Sequence, residues 1–155
     1  MKTLPLIALI FAAFAPHAQA AAPNDDASKQ DLHAMQGTWT VVSSEQNGEK
    51  RTDLDAVRKM RLTIKNDQWT LEYHNNVNDQ HAATIKLDPA QNPKAIDFRF
   101  TNGLLSGETS PAIYELKGDH LKFCFPDESK QRPKNFNSSE GPGGRWLLVL
   151  KRETK

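Results

Sequence analysis

The chain has 155 residues, 20 Lys and Arg against 19 Asp and Glu, a formal charge of +1, and a single cysteine. Charges this balanced and scattered argue against the concentrated basic face of a nucleic-acid binder. One cysteine rules out an internal disulfide framework, so a domain of this length must rest on one hydrophobic core.

Residues 1–20 read as a signal peptide. Lys2 is a minimal positive start, Leu4 to Phe14 is apolar, and Ala18-Gln19-Ala20 is a cleavage site. The apolar run is shorter than the about 20 residues that span a bilayer. No cysteine follows it, which disfavours a lipoprotein. The mature chain is expected to be exported, periplasmic or secreted, with no membrane span. Residues 21–30 are polar and read as a disordered lead-in, and 31–155 as one domain. Asp31 to Met35 can form one helical turn with Asp31 as its cap.

Strands then follow in series, marked by alternation. Thr38 to Glu45 is the first, with Trp39, Val41 and Ser43 on one face. Asn47-Gly48 is a turn, and Asp53 to Met60 a short helix capped by Asp53, with Leu54, Val57 and Met60 on one side. Arg61 to Lys65 and Gln68 to His74 form a hairpin about Asn66-Asp67, with Leu62, Ile64, Trp69, Leu71 and Tyr73 inward. A polar loop over 75–80 leads into His81 to Asp88. Ala95 to Thr101 alternates cleanly: Ile96, Phe98 and Phe100 on one face, Asp97 and Arg99 on the other. Glu108 to Leu116 begins irregularly at Pro111, as an edge would, and carries Tyr114 and Leu116. Lys117-Gly118-Asp119 turns into His120 to Phe125, with Leu121, Phe123 and Phe125 on one face and Cys124 among them as a small buried hydrophobe. A Pro-, Gly- and Ser-rich loop over 126–144 precedes Arg145 to Arg152.

Eight antiparallel strands in sequence order, with one short helix between the first two, predict an all-β up-and-down barrel, because closure removes the exposed edges. Such a barrel either fills with its own side chains or holds one small ligand. The aromatic volume of the predicted inner face favours a small cavity.

Gly37-x-Trp39 resembles the start of the first strand in lipocalins and the wider calycin group. Further blocks are similar to a family of exported bacterial proteins of uncharacterised function, abundant in planctomycetes and described as lipocalin-like. These are Gln36-Gly37-Thr38-Trp39, Leu62-Thr63-Ile64-Lys65, Leu87-Asp88-Pro89, Pro93-Lys94-Ala95-Ile96-Asp97, Ile113-Tyr114-Glu115-Leu116, Leu121-Lys122-Phe123-Cys124, Arg132-Pro133 and Leu148-Val149-Leu150-Lys151-Arg152. They run in order from about 32 to 153. The resemblance implies a lipocalin-like barrel and no activity. It also implies a tryptophan, Trp39, closing the barrel base beside Gly37, with a late basic residue over it. Arg152 is favoured over Arg145 for that structural role. The loops at 46–60, 75–80, 102–107 and 126–144 then surround the mouth.

Few residues suggest chemistry. His74 and His81 bracket a hairpin and could face each other as metal ligands, but no third ligand stands near, and His33 and His120 lie elsewhere. No metal or cofactor is expected. No nucleophile elbow or Ser/His/Asp order is present, and Gly141-Pro142-Gly143-Gly144 lacks the lysine and helix of a phosphate loop. Candidate ligand-binding residues, on the inner face or at the mouth, are Ser43, Tyr73, Phe98, Phe100, Tyr114 and Phe123. The expected function is a non-enzymatic binding module for a small apolar molecule at the barrel mouth. The alternative is an interaction or inhibitor module with a packed barrel acting on an envelope protein. Small eight-stranded barrels inhibit lysozymes in that way, and their Ser-Gly loop is faintly echoed by Ser106-Gly107 followed by Tyr114.

Overall fold

Eight antiparallel strands close into a barrel in the computed structural model, which describes residues 25–50, 54–73 and 76–154. In chain order the elements are α1 (Asp25–Met35), β1 (Gly37–Gln46), β2 (Glu49–Lys50), α2 (Leu54–Arg58), β3 (Arg61–Lys65), β4 (Gln68–Tyr73), β5 (Asn76–Asp88), β6 (Ala95–Phe100), a 3-10 turn (Gly103–Leu105), β7 (Thr109–Lys117), β8 (His120–Phe125) and β9 (Trp146–Arg152). The barrel strands are β1 and β3 to β9, each paired with the next. β9 closes the ring on β1, with Trp39 opposite Arg152 and Val41 opposite Leu150. β2 is a two-residue extension folded back on β1.

Alternation drives the closure. In β3, Leu62 and Ile64 are buried while Arg61 and Lys65 are exposed, and β6 buries Ile96, Phe98 and Phe100 while exposing Arg99. The inner faces meet in one cluster that includes Trp39, Trp69, Leu71, Phe98, Tyr114, Phe123, Leu148 and Leu150. Each such side chain contributes about 1.5–3 kcal/mol on burial. α2 adds Val57 to this cluster, with Met60 packed beside it.

Several expectations are corrected. Residues 25–30, expected as part of a disordered lead-in, belong to α1. Asp25 and Asp26 suit the positive end of that helix and His33 its last turn, and Leu32 and Met35 pack against the core. Asp31 is therefore a mid-helix residue and not a cap. Residues 76–80, expected as loop, extend β5, which pairs with β4 as far as Tyr73 opposite Asn76. Pro111 lies inside a paired ladder, opposite Asp97, and not at an edge. In β1 a bulge between Val41 and Ser43 shifts the alternation by one residue. Ser44, 3% exposed, takes the inner position assigned to Ser43, which is half-buried. The signal-peptide reading of 1–20, residues 21–24 of the lead-in, the Asp53 cap and His74 lie outside the described residues.

The segment from 126 to 145 has no strand or helix but is packed as a strap across the outside of β6 to β8. Arg132 Nη1 donates to the carbonyls of Ile96 at 3.1 Å and Ala112 at 2.6 Å, and its Nη2 to Asp97 at 2.6 Å. Lys122 Nζ stands 5.9 Å from the centre of the Phe136 ring. The buried Ser138 hydroxyl donates to Glu45 at 2.6 Å and accepts from the Gly48 backbone at 3.2 Å. The strap explains why Ala95, Ile113 and Cys124, cross-strand neighbours outside the inner cluster, are nonetheless buried. Gly144, at φ +70°, seats the strap against the β1–β2 turn, where a Cβ would lie 2.3 Å from Asn47 Cα.

Candidate ligand-binding site

One end of the barrel is closed. Arg152 lies over the Trp39 ring, its guanidinium carbon 4.1 Å from the ring centre. It donates to the Gln36 carbonyl at 2.6 Å and the Ala34 carbonyl at 2.5 Å. Gly37, at φ +119°, makes room: a Cβ there would lie 3.3 Å from Arg152 Nη1. The Trp39 indole N–H donates to the Met35 carbonyl at 3.0 Å. α1 thus lies across the base. Its Ser28 hydroxyl reaches the Leu87 carbonyl at 3.2 Å, and its Asp31 accepts from the Tyr114 hydroxyl at 2.6 Å and from Lys94 at 2.7 Å. Burial, followed by that bond to the Asp31 carboxylate, pushes the Tyr114 phenol well above its ordinary range.

The middle of the barrel is filled. Phe98 stands edge-on to Trp69 at 5.2 Å and to Phe123 at 5.5 Å between ring centres. Such edge-to-face pairs contribute about 0.5–1.5 kcal/mol beyond their burial.

At the other end a cavity of about 250 Å³ remains. Trp69, Phe100, Phe125 and Trp146 form its inner wall, and Leu105, Pro111 and Pro126 its apolar lip. Phe125 and Trp146 stack at 5.1 Å with 26° between their planes. The polar groups, His81, Glu108, Thr109, Ser110, Asp127 and Lys130, complete the lining. Lys130 and Glu108 form an ion pair at 2.8 Å that joins the strap to the start of β7. Hydrogen bonds from the Ser129 hydroxyl and backbone N–H hold the Asp127 carboxyl below the usual range. A neighbouring hollow of about 260 Å³, lined by Ser44, Gln46, Met60 and Tyr73, shares Trp146 with the first.

The tryptophans differ in one respect. There are three. The Trp39 N–H is bonded to Met35, and the Trp146 N–H donates to the Ser44 hydroxyl at 3.0 Å. Trp69 is 1% exposed, and its Nε1 has no hydrogen-bond partner. An unpaired buried donor costs about 1–3 kcal/mol. It belongs to a residue of the cavity wall.

Of the six candidate residues, Phe100 lines this cavity and Tyr73 the neighbouring hollow. Phe98 packs behind the wall, in ring contact with Trp69 and with Phe125 at 4.8 Å. Phe123 is in the filled middle and Tyr114 is bound to α1 at the base, so neither is brought to the cavity. Ser43 is displaced by the bulge. Trp69, Trp146, Phe125 and the lip residues were not among the candidates. Trp69 and Phe125 alternate inward in the sequence, but parity alone does not say which inward residues sit beside space.

His81 stands edge-on to Tyr73, ring centres 5.5 Å apart, in the wall of the mouth. Among the described residues no group of three or more His, Cys, Asp or Glu is placed to hold a metal. Also among them, no helix is long and apolar enough to cross a membrane. No protein-family model matches the sequence, and no curated protein matches it.

Proposed function

We propose that this chain is an exported, lipocalin-like binding module that holds a small apolar molecule at its barrel mouth without transforming it. The observation that carries the reading is the aromatic cavity of about 250 Å³ left at one end of a barrel whose other end is stoppered. Ligand sites are concave and mostly apolar, with a few convergent polar groups. At about 250 Å³ this one lies just below their usual range of about 300–1,000 Å³. An apolar cavity of about 150 Å³ accepts benzene, so a molecule of one or two rings fits.

The polar side chains at the lip support binding over catalysis. Glu108 is paired with Lys130, Asp127 is tied to Ser129, and His81 packs against Tyr73. Each has a partner that fixes it, and none forms a base–nucleophile couple with another.

Titration with small aromatic molecules tests the reading through the intrinsic fluorescence of Trp69 and Trp146. The expected result is a saturable change with dissociation constants of about 10 μM to 1 mM, the range open to ligands of about ten heavy atoms. Mass spectrometry of gently extracted protein adds a search for a retained molecule. No saturable response and no retained molecule would refute the reading and favour the interaction-module alternative.

A further inference from the structure

We infer that Trp146 sets the size of the occupant: its indole divides one long cleft at the mouth into two hollows and so confines a bound molecule to one or two rings. This rests on the binding reading above and assigns its selectivity to one residue. The two hollows, of about 250 and 260 Å³, share Trp146 in their linings. β9 runs between β8 and β1, and Trp146 stands opposite Phe125 on one side and Gln46 on the other. Phe125 lines the first hollow and Gln46 the second. The indole is held from both sides. Its face stacks on Phe125 at 5.1 Å, and its N–H donates to Ser44, in the wall of the second hollow, at 3.0 Å.

A partition held in this way does not swing aside freely. Turning the ring away parts a stacked aromatic pair and breaks the bond to Ser44, which is 3% exposed. A molecule of two rings can bury itself in the aromatic hollow alone. A longer one must displace the indole or leave its far end in water, and forcing extra volume against a packed wall is unfavourable. With the indole removed, the hollows join into one cleft of about twice the volume of either. That cleft is aromatic on the β8 side, at Phe100 and Phe125, and more polar on the β1 side, at Ser44 and Gln46.

The probes are 2-naphthol, with two rings, and the longer N-phenyl-1-naphthylamine, with three. Both fluoresce, and their anisotropy is followed as protein is added. The unaltered protein should bind 2-naphthol at least about fivefold more tightly, although the longer probe is the more apolar. In Trp146→Ala the longer probe should gain at least about tenfold, while 2-naphthol, which loses one wall, weakens about two- to fivefold. Trp146→Phe keeps a ring on Phe125 and should keep 2-naphthol ahead. If Trp146→Ala does not fold, the order of the two probes in the unaltered protein and in Trp146→Phe carries the test. The longer probe binding the unaltered protein as tightly as 2-naphthol, or gaining nothing over it in Trp146→Ala, overturns the inference and leaves the binding reading standing. It would mean that the extra ring extends outward over the lip and never meets the indole. Failure of both probes to bind any form removes the binding reading itself.

Discussion

Arg152 and Trp39 stack at 4.1 Å, and the same guanidinium bonds two carbonyls at the end of α1. One side chain therefore ties the last strand, the first strand and the N-terminal helix together. A cation–π contact contributes about 0.5–2 kcal/mol and a charge-assisted hydrogen bond about 1.5–3 kcal/mol, both less where water competes. Arg152→Met is expected to lower stability by about 2–3 kcal/mol in urea unfolding. Arg152→Lys should recover less than half, since an ammonium cannot lie flat on the ring and reach both carbonyls.

Tyr114 should set the alkaline limit of the fold. Its phenol is raised above the ordinary value by burial and by its bond to Asp31. The native state thus holds this proton more tightly than the unfolded chain does. The resulting stabilisation is complete below pH about 10 and is lost progressively above it. Tyr114→Phe should cost about 1 kcal/mol near pH 7 and flatten the decline in thermal stability above pH 10.

The bulge in β1 predicts opposite outcomes for adjacent serines. Ser44 accepts the Trp146 N–H beneath the mouth, whereas Ser43 is only half-buried and lies at the bulge. Ser44→Ala should cost about 1 kcal/mol and shift the fluorescence of Trp146, and Ser43→Ala should stay within about 0.5 kcal/mol. Denaturant midpoints and emission spectra of the two variants check this.

Cys124 reports on the strap. Burial pushes its thiol up to about 11, so at pH 8 only about one molecule in a thousand carries the thiolate. The native protein should resist a thiol reagent over hours. Arg132→Ala removes the bonds to Ile96, Ala112 and Asp97. It should accelerate labelling at least about tenfold while the barrel retains its far-ultraviolet circular dichroism.

The barrel was legible because its evidence is local and repeated. Ile96, Phe98 and Phe100 alternate with Asp97 and Arg99 in one short run, and every hairpin has its own turn residues. What was missed is non-local. Residues 25–30 look polar because α1 is held at the base by Asp31, Ser28 and two carbonyls more than by a broad apolar face. The bulge inserts one residue in β1 with no glycine to announce it, and so Ser43 was read for Ser44. The strap reads as loose linker by composition, although Arg132, one of several charged residues in it and unmarked by its neighbours, fixes it to three groups. The candidate site was legible only as an end of the barrel. Whether Tyr114 or Phe100 meets open space depends on which layer it occupies, and that is set by the tilt of the strands.

The stoppered base has a kinetic meaning. A molecule lodged at the mouth must retrace its way in when it departs, because α1 and the Arg152–Trp39 stack bar the far end. Arrival and departure then cross one shared barrier at the lip. The Glu108–Lys130 tie stands at that barrier, so loosening it would act on arrival and departure together.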